Sequence, residues 1–249
     1  MWHKPQLMTT VADLLLAAAA AALLVAAAVW FARMPFFTLS EVVVTHELRE
    51  VKRAEVERAL GGMLRGNFFS VNLDALRQSL ERLTWVRHAD VRRQWPARLE
   101  VRIEEHEPAA RWGEASGQLL NTHGEVFSAV LSVEQPLPVL YGPPASAPDV
   151  LQRYGEFAQA LKPTGRVPRQ VTLSPRLAWQ LRLDDGMVVE LGREQSKAPV
   201  GMRLARFVEF YPGVLEGRKP RPAAVDMRYP NGFALHFAAA QGNEGKGKQ

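Results

Sequence analysis

The chain has no cysteine in its 249 residues. That absence excludes disulfide scaffolds, thiol nucleophiles and cysteine-ligated zinc or iron–sulfur centres. Histidine is sparse too: His3, His46, His88, His106, His123 and His236 form no H-E-x-x-H and no i, i+4 pair. His106 has Glu105 and Glu107 beside it, but neighbours along a strand point to opposite faces, so a solvated strand end is expected there rather than a metal site. No G-x-S-x-G, S-x-x-K or P-loop occurs, and Gly61-Gly62 reads as a helix stop because no Lys-Ser/Thr follows. Long runs of one charge are missing as well. The net charge of +5 and pI near 9.7 would suit an anionic partner, yet arginines alternate with glutamates, as in Arg49-Glu50 and Glu55, Glu57, Arg58. Without a basic run or a stacking motif, nucleic-acid binding has no support beyond the pI.

What is present describes a folded protein: 47% hydrophobic and 23% charged residues in a length that holds one large or two small domains. The strongest signal is the uncharged run LLLAAAAAALLVAAAVWFA, Leu14 to Ala32, which is long enough to cross a bilayer core as a helix. Trp30, Phe31 and Arg33 suit the interface at its end. A cleaved signal peptide is the alternative, with Ala26 and Ala28 offering the cleavage site. Direction stays open, because a count of Lys4 before the span against Arg33, Arg49, Lys52 and Arg53 after it carries little weight when a long domain follows.

After the span, FFTLSEVVVT (Phe36 to Thr45) reads as a strand. Val56, Ala59 and Leu60 follow helical spacing, and a second helix places Leu73, Leu76, Leu80 and Leu83 on one stripe, with Asn72 as N-cap and Asp74 in its first turn. Leu99, Val101 and Ile103 then alternate with Arg98, Glu100, Arg102 and Glu104, a strand with one face on a core and one in water. Trp95-Pro96 turns the incoming segment, Ala89 to Gln94, back on it as a hairpin. Pro108 marks a boundary. Beyond it, strands are expected around Gln118–Asn121, Gln170–Leu173, Trp179–Leu183 and Met187–Leu191, the last two joined by a turn at Asp184-Asp185-Gly186 that explains those carboxylates better than paired acid chemistry does. Helices are expected over Asp149–Lys162 and Val200–Tyr211, and a terminal hairpin over Ala224–Arg228 and Phe233–Phe237. Trp95, Trp112 and Trp179 are expected as core anchors, Arg166 as a plain surface residue, and the tail from Ala238 as unfolded. The fold class is therefore α+β: an apolar helix, a small strand-helix-helix-strand-strand unit, and a mixed sheet with flanking helices. Without an active-site constellation the residues describe a membrane-tethered binding protein.

Four stretches carry a resemblance: VRRQWPARLEVRIEEHEPAARW (91–112), LPVLYGPP (137–144), LARFVEFYP (204–212) and VDMRYPNGFALHF (225–237). In this order, behind an apolar helix, they resemble the FtsQ/DivIB family of bacterial cell-division proteins, in its proteobacterial branch. The resemblance implies a short cytoplasmic segment (1–11), a transmembrane helix (12–33), a POTRA domain of βααββ order (36–107), an FtsQ-type β domain (108–237) and a tail (238–249). It implies a single-pass protein of the inner membrane at the division septum, with its amino end in the cytoplasm and its bulk in the periplasm. It implies no catalysis and no cofactor, but binding to FtsB and FtsL and, through them, control of the synthase pair FtsW and FtsI. Pro108 to Trp112 becomes the joint between the two domains. Carried onto matching positions, FtsB capture falls on Tyr229 with Arg228, Asn231 and Phe237 beside it, and on Arg176, which matches an arginine that pairs with an acidic partner side chain. An open edge at the terminal strand would give that capture a physical basis, since an unpaired edge invites a partner strand. The alternatives are a membrane-anchored periplasmic cell-wall enzyme, which needs an activated nucleophile or paired carboxylates, and another POTRA-bearing transport or assembly factor, which needs a transmembrane barrel.

Overall fold

The computed structural model describes residues 5–32, 41–45, 48–64, 68–95, 97–114 and 117–237. Expectations for His3, Lys4, Arg33, the stretch 36–40, His46, Pro96 and the tail 238–249 lie outside the described residues. The chain divides into two compact units, Met1–Glu105 and His106–Gln249.

The first unit opens with helix α1, Pro5–Ala32, which starts earlier than the apolar run because proline suits the first turn of a helix. Thr9–Phe31 within it is long and apolar enough to cross a membrane, and none of it is buried within the protein. Strand β1 (Glu41–Val44), helices α2 (Arg53–Gly61) and α3 (Leu73–Glu81), and strands β2 (Val86–Gln94) and β3 (Arg98–Glu105) follow, giving the βααββ order read from the sequence. The sheet runs β1-β3-β2, with β1 parallel and β2 antiparallel to β3. Leu99, Val101 and Ile103 face a core with Leu76 and Leu80 of α3 and Val56 and Leu60 of α2, while alternate positions carry the charges. Asn72 caps α3 as its sequence position suggests, its side chain accepting from the Ala75 N–H at 3.1 Å. Glu105, at the end of β3, has a role no periodicity shows: its carboxylate accepts from the backbone N–H groups of Arg49, Glu50 and Val51 at 2.7–3.1 Å and fastens the approach to α2.

One expectation fails here. Trp95 is 66% exposed rather than a core anchor. It lies beyond the last paired residue of β2, in the turn, where the sheet ends, and its ring meets the buried Phe68 edge-on at 6.2 Å.

The second unit holds a nine-stranded mixed sheet. Its strands are β4 (Pro108–Trp112), β5 (Gln118–Asn121), β6 (Val126–Ser128), β7 (Val139–Tyr141), β8 (Pro168–Leu173), β9 (Ala178–Leu183), β10 (Val188–Arg193), β11 (Ala224–Asp226) and β12 (Ala234–His236). The order across the sheet is β12-β11-β10-β9-β8-β7-β4-β5-β6. Helix α4 (Ala147–Leu161) joins β7 to β8, and helix α5 (Val200–Phe210), extended by a wider turn over Tyr211–Leu215, joins β10 to β11. The core lies between helices and sheet: Val150, Phe157 and Leu161 of α4 and Leu204 and Phe207 of α5 pack on Leu140, Val171, Leu181, Val189 and Val225. Trp179 meets Phe157 edge-on at 5.6 Å, and Trp112 packs against the same core, as hairpin tryptophans are expected to.

Pro108–Trp112 is not a joint. It is strand β4, inside the sheet between β5 and β7, with Arg111 opposite Val139 and Trp112 opposite Leu140. Proline is tolerated because it is the first residue of the strand. The strand escapes a pattern search because Ala110 alone of its five residues is fully buried. Strands β6 and β7 are three residues long and were not expected from the sequence for the same reason.

Candidate partner-binding edge

Among the described residues the terminal strand β12 has one neighbour, β11, and so forms an edge of the sheet. The orientation of its backbone follows from the ladder. Ala223 C=O and Met227 N–H turn toward β10, and His236 C=O accepts from the Ala223 N–H at 2.8 Å. Along a strand the groups alternate, so Leu235 turns its N–H and C=O to the open side while its side chain packs on the core. An outward donor and acceptor on an edge is what strand addition requires.

The turn that delivers β12 is held from below by α5. The Arg206 guanidinium donates to the carbonyls of Tyr229 (3.1 Å) and Pro230 (2.6 Å), and the Phe210 ring meets Phe233 at 5.5 Å. On the strand side, Arg228 doubles back onto the buried Asp226, donating from Nε at 2.8 Å and Nη2 at 2.6 Å, with its own N–H adding a third bond at 3.0 Å. The Arg228 chain lies across Gly192, which has φ +73° at the bulge of β10; a Cβ there would sit 2.9 Å from Arg228 Cγ. Glycine at this position therefore serves both the left-handed backbone and the passage of the arginine stem. The same bulge turns the carbonyls of Leu191 and Arg193 inward, where the buried Arg203 of α5 donates to both.

Of the five residues expected to meet a partner, Arg228, Tyr229 and Asn231 share this turn, all exposed, with Tyr229 at 54%. Arg176 sits exposed in the β8–β9 turn. Trp179 pairs with Gly192, under Arg228, so Arg176 emerges at the same end of the sheet. With strands about 4.8 Å apart, that puts it roughly 10 Å across from β11. Phe237 stands apart, at the other end of β12, where the Arg218 guanidinium lies 5.9 Å over its ring. Sequence reasoning missed Arg203, Arg206, Asp226 and Gly192. A signal existed for Arg203: it stands four residues before Phe207, so the apolar stripe of α5 carries it inward.

The hydrogen bond from Arg228 holds the Asp226 carboxyl below the usual carboxylate range, against the opposing effect of burial. A depressed pKa contributes stability that is present above the unfolded value, about 3.9, and lost as pH falls through the folded one. The stability gap between wild type and Asp226→Asn is thus expected to be constant above about pH 5 and to shrink as pH drops below about 4, a trend that paired acid titrations followed by circular dichroism would read. A gap that does not change with pH would mean the ion pair adds nothing to folding.

Other candidate groups serve structure. His106, expected at a solvated strand end, instead stacks on Phe127 at 4.2 Å and bonds Asn121 Nδ2 at 2.9 Å. Asp185 is nearly buried in its hairpin turn, accepting from Met187 N–H, with Arg166 and Arg221 nitrogens 3.6 and 3.7 Å away. Arg166 is therefore no plain surface residue; it also donates to the Tyr211 hydroxyl. Among the described residues, no group of three or more His, Asp or Glu is placed to hold a metal.

Comparison with known proteins is consistent along the chain. Residues 37–106 match the family described as POTRA domain, FtsQ-type, and residues 110–228 that described as cell division protein FtsQ/DivIB, C-terminal. A cell division protein FtsQ of Burkholderia pseudomallei is 37% identical over 239 residues, covering 96% of this chain and 95% of the relative. One from Bordetella pertussis is 39% identical over 259 residues, covering 96% and 93%. One from Escherichia coli is 31% identical over 216 residues, covering 84% and 76%.

Proposed function

Because the chain belongs to the FtsQ/DivIB family of bacterial cell-division proteins, we propose that it is a non-catalytic scaffold that captures FtsB along β12. The observation that carries this reading is the outward backbone of Leu235 on an edge strand, beside a turn that exposes Tyr229. A partner segment adds to the sheet as a further strand, and main-chain hydrogen bonds supply the affinity. Tyr229 supplies specificity, since a rigid, amphipathic ring at an interface buries much area at low entropic cost. Arg176 and Arg228 meet acidic side chains of the partner; the Asp226 pair fixes Arg228 in place beforehand. Helix α1 anchors the chain in the inner membrane as a single span, with the amino end in the cytoplasm and both units in the periplasm. FtsL joins FtsB in the complex, which acts in turn on FtsW and FtsI at the septum. That the relatives carry the name of a cell-division protein supports a role without turnover.

The test is a titration of the full chain with the periplasmic part of FtsB from the same organism. Wild type is compared with Tyr229→Ala and with Gln159→Ala, an exposed position on α4. Tyr229→Ala weakens binding by at least about 2 kcal/mol, roughly thirtyfold in Kd, and the control leaves it unchanged. Equal affinity for all three places the interface elsewhere. No binding by wild type overturns the scaffold reading.

A further inference from the structure

We propose that the tip of the first unit docks on the surface of the bilayer in which α1 is anchored, with the phospholipid headgroup layer as its ligand. The tip consists of the β2–β3 turn and the loop leading into α3. Arg93 ties them together, donating to the carbonyls of Phe68 and Val71 at 2.8 Å each. Phe68 is buried between them, and over it stand Trp95 and Phe69, 66% and 52% exposed, their rings 6.2 and 5.3 Å from its own. Two large aromatic side chains exposed over one buried ring form an apolar patch of the kind that marks an interaction surface.

The chain path indicates what covers them. Strand β1 runs parallel to β3 with Glu41 opposite Arg98, so the polypeptide arriving from α1 enters the sheet beside the Trp95 turn. Residues 33–40 connect Ala32 to Glu41, a reach of about 30 Å at full extension. The tip is therefore tethered close to the lipid surface, and a short tether raises its effective concentration there to about the millimolar range. A weak interfacial preference is then sufficient. Tryptophan and phenylalanine favour the headgroup level, where an apolar body and a wet boundary coexist. The charges around the tip are balanced: Asp90 is paired with Arg92, Asp74 lies near Arg77 of α3, Glu100 stands opposite Arg92 and Glu41 opposite Arg98, so the tip meets the polar headgroup layer without a large charge of either sign. Arginine stems can lie along the apolar surface while their heads meet phosphate. Docking of this kind sets the tilt of the first unit on the membrane.

The absence of cysteine allows a clean test in the full chain, reconstituted in nanodiscs of phosphatidylethanolamine and phosphatidylglycerol. An environment-sensitive fluorophore is placed at Gln94→Cys, beside the tip, or at Lys52→Cys. Lys52 lies toward the opposite end of the sheet, next to Val51, whose N–H is bonded to Glu105. Lipids carrying a nitroxide near the headgroup quench the Gln94 label several-fold more than the Lys52 label. Adding Trp95→Ser and Phe69→Ser to the Gln94→Cys chain brings quenching down to the Lys52 level. Quenching equal at the two positions, or unchanged by the serine pair, overturns the proposal. So does a Gln94 label that shifts to the blue without lipid quenching, which would mean that a protein surface covers the tip. A label at Val29→Cys in α1 separates the two failures: if it too escapes quenching, the membrane anchor itself is refuted.

Discussion

Replacing Phe207 by alanine lowers the stability of the second unit by about 3–5 kcal/mol. Phe207 is fully buried on α5, its ring 5.6 Å from that of Tyr211, in the layer where both helices meet the sheet. The cost has two parts, the lost transfer of the ring out of water and the cavity left behind. The site is poorly able to collapse, because α5 is pinned on its flanks by the Arg203 bonds to β10 and the Arg206 bonds to the β11–β12 turn. The measurement is amide exchange in the full chain. Protection of β9 and β10 is expected to fall by the full amount, while α3 and β3 of the first unit keep theirs. A loss under about 1 kcal/mol would show that the helix repacks freely over the sheet.

Leu235→Pro is expected to abolish FtsB capture, by more than about a hundredfold in Kd, while the sheet survives. The reasoning rests on which way one N–H points. Proline removes a donor and adds a ring at that nitrogen. At Leu235 the nitrogen faces the open side, so the β11 ladder keeps its bonds, and edge strands are where sheets tolerate proline. A partner strand, however, loses its donor and meets the ring. Binding is read by titration and the fold by amide exchange over β9 and β10. Undiminished binding with an intact sheet would refute strand addition, even if Tyr229 proves to matter. The Tyr229 and Leu235 variants therefore separate side-chain recognition from main-chain recognition along the same edge.

The parts of this architecture that could be read in advance share one property: their signal is local. The run Leu14 to Ala32 needs only its own length and composition to declare a helix able to cross a membrane. The alternation of Leu99, Val101 and Ile103 with charged residues needs only a period of two, and the Asn72 cap only its place before a leucine stripe. Strands β4 and β7 had no such signal. Each offers a single fully buried residue, Ala110 or Leu140, and their place in the middle of the sheet comes from pairing with segments distant in the chain. The hairpin tryptophans show the limit of a residue-type rule: Trp179 is in the core and Trp95 in the open, because only one of the two turns into a region where a helix covers the sheet.

The candidate partner edge divides in the same way. Composition and periodicity excluded thiol and phosphate-loop chemistry, set an apolar helix before two folded units, and put a hairpin at the end of the second. Resemblance marked Tyr229 and its neighbours. Tertiary structure alone decided that β12 has a single neighbour among the described residues, that the Leu235 backbone turns outward, and that Arg176 lies at the same end of the sheet as Arg228 while Phe237 does not. It alone assigned Arg203 and Arg206 to hold the bulge and the turn in place. A sequence states what each residue prefers within a few positions of itself. Which strand is left without a partner depends on the pairing of every other strand, and that is settled only when the whole sheet closes on its core.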